Sequence, residues 1–437
     1  MKISRRLFLK RGGIALATVG AYGLWGPSFL HKAVFAAEAA QASGGRKTLV
    51  CLFQRGAVDG LSMVAPYGDP FYYQARKEIA LAQPSQSAGA AASLDLDGYF
   101  GLHPAMEAFL PIYQEGNLAV MHACGSPNNT RSHFDAQDFM ESGVASDKSV
   151  HSGWLNRLLV QCPEDHAKVA PFRAVAMGAI LPRALQGEHE ALAIRDLDHF
   201  GVAPSGNGSS SSDNSAGAAA GFENMYESAV GDVLHGTGRE SFEAISMLKG
   251  ADPSKYRPTS GADYPKGVFG RSLMQVAQLI KANVGLEIAF VDIDGWDTHA
   301  NQGAAQGQLA NRLREFSRAI AAFYRDLGDR MSDTLILTMS EFGRAVHQNG
   351  NRGTDHGHGT CFFVLGGSVR GGKVLGQWPT LAPDKLFENR DLAVTTDYRN
   401  IFSEACVRHF GIGKEDLAKV FPDHPIDFNS FPGFYKI

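Results

Sequence analysis

Residues 334–359 read TLILTMSEFGRAVHQNGNRGTDHGHG, and this stretch decides the fold. Leu335, Ile336 and Leu337 form a short apolar run of the length a buried strand needs. Glu341 follows directly. A Gly/Asn-rich loop comes next, then Asp355, His356 and His358. Carboxylates and imidazoles thus gather just past one strand's carboxyl end, where open α/β sheets place their sites.

A second stretch repeats the pattern. Leu286 to Ile293 (LEIAFVDI) predicts another buried strand and runs into Asp294-Gly295-Trp296-Asp297-Thr298-His299. Asp297 and His299 are two residues apart, which in extended backbone puts both on one face. Between the two strands, Leu309, Leu313, Phe316, Ile320, Phe323 and Leu327 recur at helical spacing. Strand, amphipathic helix and strand imply a parallel crossover. Both clusters are then expected at the same edge of one sheet.

Working outward, Lys47 to Phe53 predicts a first strand, followed by Gln54-Arg55-Gly56-Ala57-Val58-Asp59-Gly60. Leu102 to Tyr113 has helical spacing, Leu118 to His122 and Phe172 to Met177 read as strands, and Phe222–Gly250 and Phe269–Asn283 as helices. Cys361 to Leu365 predicts a further strand with a glycine-rich, hairpin-like continuation to Gly376, and a closing helix and tail occupy 400–437. Residues 201–221 are almost wholly Gly, Ala, Ser, Asn, Asp and Pro, which predicts a flexible insertion.

Asp59, Asp297, His299, Glu341, Asp355, His356 and His358 are the candidate metal ligands. Mixed oxygen and nitrogen donors suit zinc, manganese or iron, and calcium less readily. The set is large enough for one or two divalent ions. Ser132 stands in GSPNNTRSHFDAQD at a predicted helix start. It has two readings, an N-cap and a nucleophile activated by metal and helix terminus. Arg55 and Arg131 also have two, a fork for phosphate or sulfate oxygens and a salt bridge that orients a ligand carboxylate. Arg344 has the same pair of readings. His122, His133 and His347 lie near the motifs at no diagnostic spacing and are expected to support the ligands at most.

The N-terminus reads as an address. Ser4-Arg5-Arg6-Leu7-Phe8-Leu9-Lys10 matches the twin-arginine export signal, with an apolar run from Ile14 to Trp25 and cleavage expected after Ala36 or Ala39. The domain plan is therefore a signal peptide over 1–36 and one α/β domain over 45–437. The chain carries 41 basic and 45 acidic residues. Losing the basic leader takes the net charge from −4 to about −10, which argues against a nucleic-acid partner. No segment reaches the roughly 20 apolar residues of a membrane span, so no stable membrane anchor is expected. The five cysteines include no CxxC pair and read as buried thiols. There is no GxSxG elbow, P-loop or dinucleotide fingerprint.

SRRLFLK, LFQRGAVDGLSMVAPY, GSPNNTRSHFDAQD, GWDTH, SEFGR with DHGHG, and VLGGSVRGGKVLGQWP together resemble an exported bacterial family of unknown function, the one numbered 1501. That family is placed in the alkaline phosphatase and sulfatase superfamily. The resemblance implies an alkaline phosphatase-like αβα sandwich with a mainly parallel sheet and metals at strand carboxyl ends. It implies Asp59 as the first-strand metal aspartate and Ser132 at the nucleophile position. Asp297 with His299 would form one metal pair, and Glu341, Asp355, His356 and His358 the other ligands. Glu341 stands where relatives have an Asp-His pair. No Cys-x-Pro-Ser-Arg is present, so formylglycine is not expected. The expectation is a periplasmic metal-dependent hydrolase of phosphate or sulfate esters, acting on an anionic small-molecule or polymer substrate and delivered by the twin-arginine machinery. The alternative is a non-catalytic metal-binding exported protein, with a binding or assembly role beside a second exported protein.

Overall fold

The computed structural model describes residues 46–85, 89–162, 172–197 and 256–436. The segments expected to be an export signal (1–36), a flexible insertion (201–221) and a helix (222–250) lie outside the described residues. Twelve strands are present among them: β1 (Thr48–Arg55), β2 (Val64–Ala65), β3 (Leu94–Asp95), β4 (Gly101–Leu102), β5 (Leu118–Gly125), β6 (Ala174–Met177), β7 (Leu192–Ile194), β8 (Ile288–Asp294), β9 (Thr334–Met339), β10 (Thr360–Gly366), β11 (Lys373–Leu375) and β12 (Thr396–Asp397). β2, β4 and β3 make a small separate sheet.

The main sheet runs β11-β5-β10-β9-β1-β8-β6-β7, with β12 added to β5. β8 and β9 flank β1, both parallel to it. Only β10 opposes the others, pairing antiparallel with β5 and β9. The carboxyl ends of β1, β5, β8 and β9 therefore share one edge, and β10 begins at that edge. The DHGHG segment is thereby returned to the end where GWDTH emerges.

Along β1, Val50 and Leu52 enter one core while Leu49, Cys51 and Phe53 enter the other. That alternation is the pleat of a strand buried on both faces. The Val268–Lys281 and Gln308–Leu327 helices cover the first face through Leu273, Leu313, Phe316 and Phe323. The Trp154–Gln161 and Tyr398–Phe410 helices cover the second through Trp154, Leu158 and Phe402. The result is the expected α/β sandwich with a mainly parallel sheet. No helix of the described residues is long and apolar enough to cross a membrane. All five cysteines are buried and free.

One expectation is corrected. The glycine-rich stretch after β10 does not fold back as a hairpin, because both edges of β10 are taken by β5 and β9. The chain instead crosses to the far side of β5, where β11 pairs parallel.

Three histidines are held neutral in the interior. His103, His122 and His409 place Nε2 3.0 Å from the carbonyls of Ala304, Val64 and Thr48. Burial pushes each down to about 4, against about 6.5 in an unfolded chain. Between those values the unfolded chain binds the extra proton, so stability is complete above about pH 6.5 and falls as pH drops towards 4. Denaturant titrations should show a loss of about 1.4 kcal/mol per pH unit per histidine across that window. A pH-independent midpoint between pH 7 and 4.5 would contradict the assignment.

Candidate metal centre

Two loops and the start of the His133–Ser142 helix make the site, and each loop is fixed by its own residues. After β8, Trp296 is fully buried and donates Nε1–H to the Ile293 carbonyl at 2.9 Å. This anchor turns Asp297 and His299 outward. Gly56, at the end of β1, has φ +116°, and a Cβ there would lie 2.8 Å from the Asp297 nitrogen. Only glycine lets the two strand ends approach so closely. The second loop is a short antiparallel ribbon. Gly343 N–H donates to the His358 carbonyl, Ala345 N–H to Asp355 and Gly357 N–H to Gly343, at 2.8–2.9 Å. The ribbon pairs Arg344 with His356 and delivers the imidazole to Asp297.

His133, Asp297 and His356 each bring one donor atom within 4.8 Å of the other two. His133 Nε2 and His356 Nε2 are 3.0 Å apart. Asp297 Oδ1 is 3.2 Å from His356 Nε2, and Oδ2 is 3.6 Å from His133 Nε2. His299 adjoins the group, its Nε2 3.0 Å from Asp297 Oδ1 and 3.1 Å from His356 Nε2. Donors bound tetrahedrally to a zinc-sized ion at 2.0–2.1 Å lie about 3.3 Å from one another, so the trio fits such an ion. Asp297 and His299 are about half exposed, which leaves the site open to solvent.

The hydrogen bonds behind the rings point the same way. His133 Nδ1 lies 2.9 Å from Glu341 Oε1, and His356 Nδ1 lies 2.9 Å from the Arg131 carbonyl. An ionised carboxylate and a carbonyl only accept, so each ring in its neutral form carries its proton on Nδ1. With both rings neutral, the two Nε2 lone pairs face each other at 3.0 Å. A cation placed there resolves that repulsion, and metal-binding histidines are oriented by such partners. His299 Nδ1 approaches Asp355 Oδ1 at 3.4 Å.

Electrostatics follow from these contacts. Burial works to raise the Asp297 carboxyl, but Arg344 and the surrounding imidazoles outweigh it and hold it below the ordinary range. Arg344 is fully buried and donates Nη2–H to Asp297 Oδ1 at 2.6 Å. Burial likewise works to raise Glu341, and its donors hold it low. The hydrogen bond to Glu341 raises His133, whereas burial lowers His356.

The other expected site residues are placed differently. Glu341 is fully buried, and its Oε1 already accepts from Gly56 N–H, His133 and Gln137. It stands behind His133 rather than in the His133–Asp297–His356 group. Asp355 stands likewise behind His299 and accepts from Asn349 at 2.9 Å. Asp59 is buried in an ion pair with Arg76 at 2.6 Å and accepts from Ser62 and Gln302. His358 is buried and stacked on Phe387, with ring centroids 4.3 Å apart, and burial pushes it down to about 4.

Arg55 is bonded to Asp292, Glu141 and Gln137. Arg131 is bonded to Asp391 and Glu388. Both form salt bridges, but with carboxylates outside the candidate ligand set, so neither orients a ligand carboxylate directly. Ser132 is the N-cap of the His133–Ser142 helix, its Oγ accepting from Asp135 N–H at 3.5 Å. Ser132→Ala should cost about 1 kcal/mol in a denaturant titration through loss of the cap. A loss above about 3 kcal/mol would show that the hydroxyl does more than cap. His133 is the residue that sequence spacing missed. Its only signal was its place one residue after Ser132, at a helix start beside the NNTR turn.

Fold and site together define an α/β protein with a histidine/aspartate cluster at the carboxyl edge of a mainly parallel sheet. Residues 46–421 match the family described as a protein of unknown function, DUF1501, and the chain belongs to that family. No curated protein matches it. Among solved structures it is similar to a sulfatase from Pseudoalteromonas sp., with 12% identity and a TM-score of 0.33 over 95% of this chain and 78% of that one. It is also similar to a phosphonate monoester hydrolase of Agrobacterium radiobacter, with 11% identity and a TM-score of 0.26 over 87% and 78% of the two chains.

Proposed function

We propose that this protein is an exported, metal-dependent hydrolase of phosphate or sulfate esters, working in the periplasm after twin-arginine export. The observation that carries the reading is the pair of Nε2 atoms of His133 and His356, 3.0 Å apart beside the Asp297 carboxylate. These three residues would hold one divalent ion, with His299 as a further donor. Two imidazoles and a carboxylate suit zinc, manganese or iron, whereas calcium favours a shell of oxygens. When bound, such an ion supplies a Lewis acid that stabilises negative charge on a transferring phosphoryl or sulfuryl group. Arg344 keeps Asp297 ionised and aimed. Ser132, next to His133 at a helix amino end, is the hydroxyl proposed to attack the ester, with that helix terminus favouring the anionic form.

A second reading is favoured by one observation. The guanidinium groups of Arg55 and Arg131 are engaged by carboxylates and not turned to the cluster. That suits a metal-binding protein with a binding or assembly role and no turnover. A panel of chromogenic phosphate monoesters, phosphodiesters and sulfate esters, assayed with zinc, manganese or iron restored, separates the two. The hydrolase reading expects turnover with at least one ester, and at least a hundredfold loss in Ser132→Ala with metal retained. Metal without turnover across the panel would leave the second reading standing.

A further inference from the structure

Behind the cluster lies a chain of hydrogen bonds that begins at Arg55, outside hydrogen-bonding contact with any proposed ligand. Arg55 Nε is 2.6 Å from Asp292 Oδ1, Nη2 is 2.9 Å from Glu141 Oε1, and the guanidinium lies 4.3 Å over the Phe53 ring. Its remaining nitrogen, Nη1, donates to Gln137 Oε1 at 2.9 Å. A guanidinium can only donate, so Gln137 must present its oxygen to Arg55 and its NH₂ to the other side. That NH₂ donates to Glu341 Oε1 at 2.9 Å.

Glu341 has no exposure to solvent, and the same oxygen accepts from Gly56 N–H at 2.8 Å. Two fixed donors keep a buried carboxylate ionised, and an ionised carboxylate obliges its third neighbour, His133 Nδ1, to donate as well. In the neutral ring the proton of His133 is then held on Nδ1, which leaves the Nε2 lone pair facing His356 and Asp297.

We infer that Arg55 and Gln137 are positioning residues of the metal centre, which act through Glu341 to fix the tautomer of His133 and so make its Nε2 a ligand. This rests on the metal-binding half of the proposed function, not on the hydrolysis. It gives Arg55 a purpose other than gripping a substrate anion. It also explains why an arginine with three acceptors stands at the carboxyl end of β1.

The test uses Gln137→Leu, which removes the link, and Arg55→Lys, which keeps the cation but loses the planar fork. Zinc affinity is read by competition with a chromophoric chelator. The tautomer of His133 is read in the metal-free protein from long-range proton–nitrogen spectra of ¹⁵N-histidine-labelled protein, assigned with His133→Gln. Loss of an outer partner typically weakens metal binding about 10–100-fold, and that range is expected for Gln137→Leu. A smaller loss in the same direction is expected for Arg55→Lys. His133 should carry its proton on Nδ1 in the wild type and shift towards Nε2 in Gln137→Leu.

Wild-type zinc affinity and wild-type tautomer in both variants would overturn the inference. If Gln137→Leu does not fold, Arg55→Lys decides alone by the same two readings. Should the wild-type protein bind no zinc, the metal-binding reading fails separately. The tautomer measurement still judges the Arg55–Gln137–Glu341 chain.

Discussion

His356→Ala is expected to remove zinc binding, with a loss larger than the roughly 10–100-fold that an outer partner costs. His356 is the centre of the cluster. Its Nε2 is the one atom within 3.2 Å of donors from His133, Asp297 and His299. Without it, the ribbon formed by 343–345 and 355–357 presents no imidazole beside Asp297, only the Arg344 guanidinium, and the remaining donors come from separate elements. The ring is partly exposed and its removal leaves the core intact, so stability without metal should change little. Chelator competition gives the affinity and a denaturant titration of the metal-free protein gives the stability. Affinity within threefold of the wild type would place the ion elsewhere or nowhere.

The second large effect concerns stability. Asp59 and Arg76 are almost wholly buried, and the 2.6 Å ion pair between them is reinforced by Ser62 and Gln302. Arg76 also donates to the carbonyls of Val346 and Ala345, which follow the SEFGR segment. Burial works to raise Asp59, and Arg76 outweighs it and holds the carboxyl low. Asp59→Ala strands a buried guanidinium, and breaking such a pair costs about 3–5 kcal/mol. The metal content of the folded fraction should stay that of the wild type. A variant of unchanged stability that loses its metal would restore Asp59 as a ligand.

These two residues show what the sequence made legible and what it did not. The β8 and β9 strands could be read because each is a continuous apolar run, and a strand buried on both faces needs no alternation. The crossover helix could be read from its apolar stripe, and the shared edge followed from a parallel connection. Asp297, His299 and His356 were legible because each stands just past a strand or in the return to the next. The antiparallel run of β10, which brings DHGHG back, could not be read, since the pattern of an apolar strand carries no direction.

The roles of the carboxylates were equally hidden. Asp59, Asp297 and Glu341 look alike in sequence, each following a strand. What separates them is the donors that reach them: Arg76 for Asp59, three N–H groups for Glu341, and Arg344 with open imidazoles for Asp297. Those donors come from distant segments or from side-chain directions that spacing does not encode. His133 lies 223 residues from His356, and no periodicity links them. Ser132 drew attention as a helix start, while the residue after it supplies the imidazole.

Elemental analysis of the purified protein, compared with Asp297→Ala, tests the central claim most directly. A metal held by this cluster implies about one equivalent of zinc, manganese or iron per chain in the wild type and essentially none in the variant. A wild type free of all three metals after loading, or a variant that keeps its metal, would contradict it.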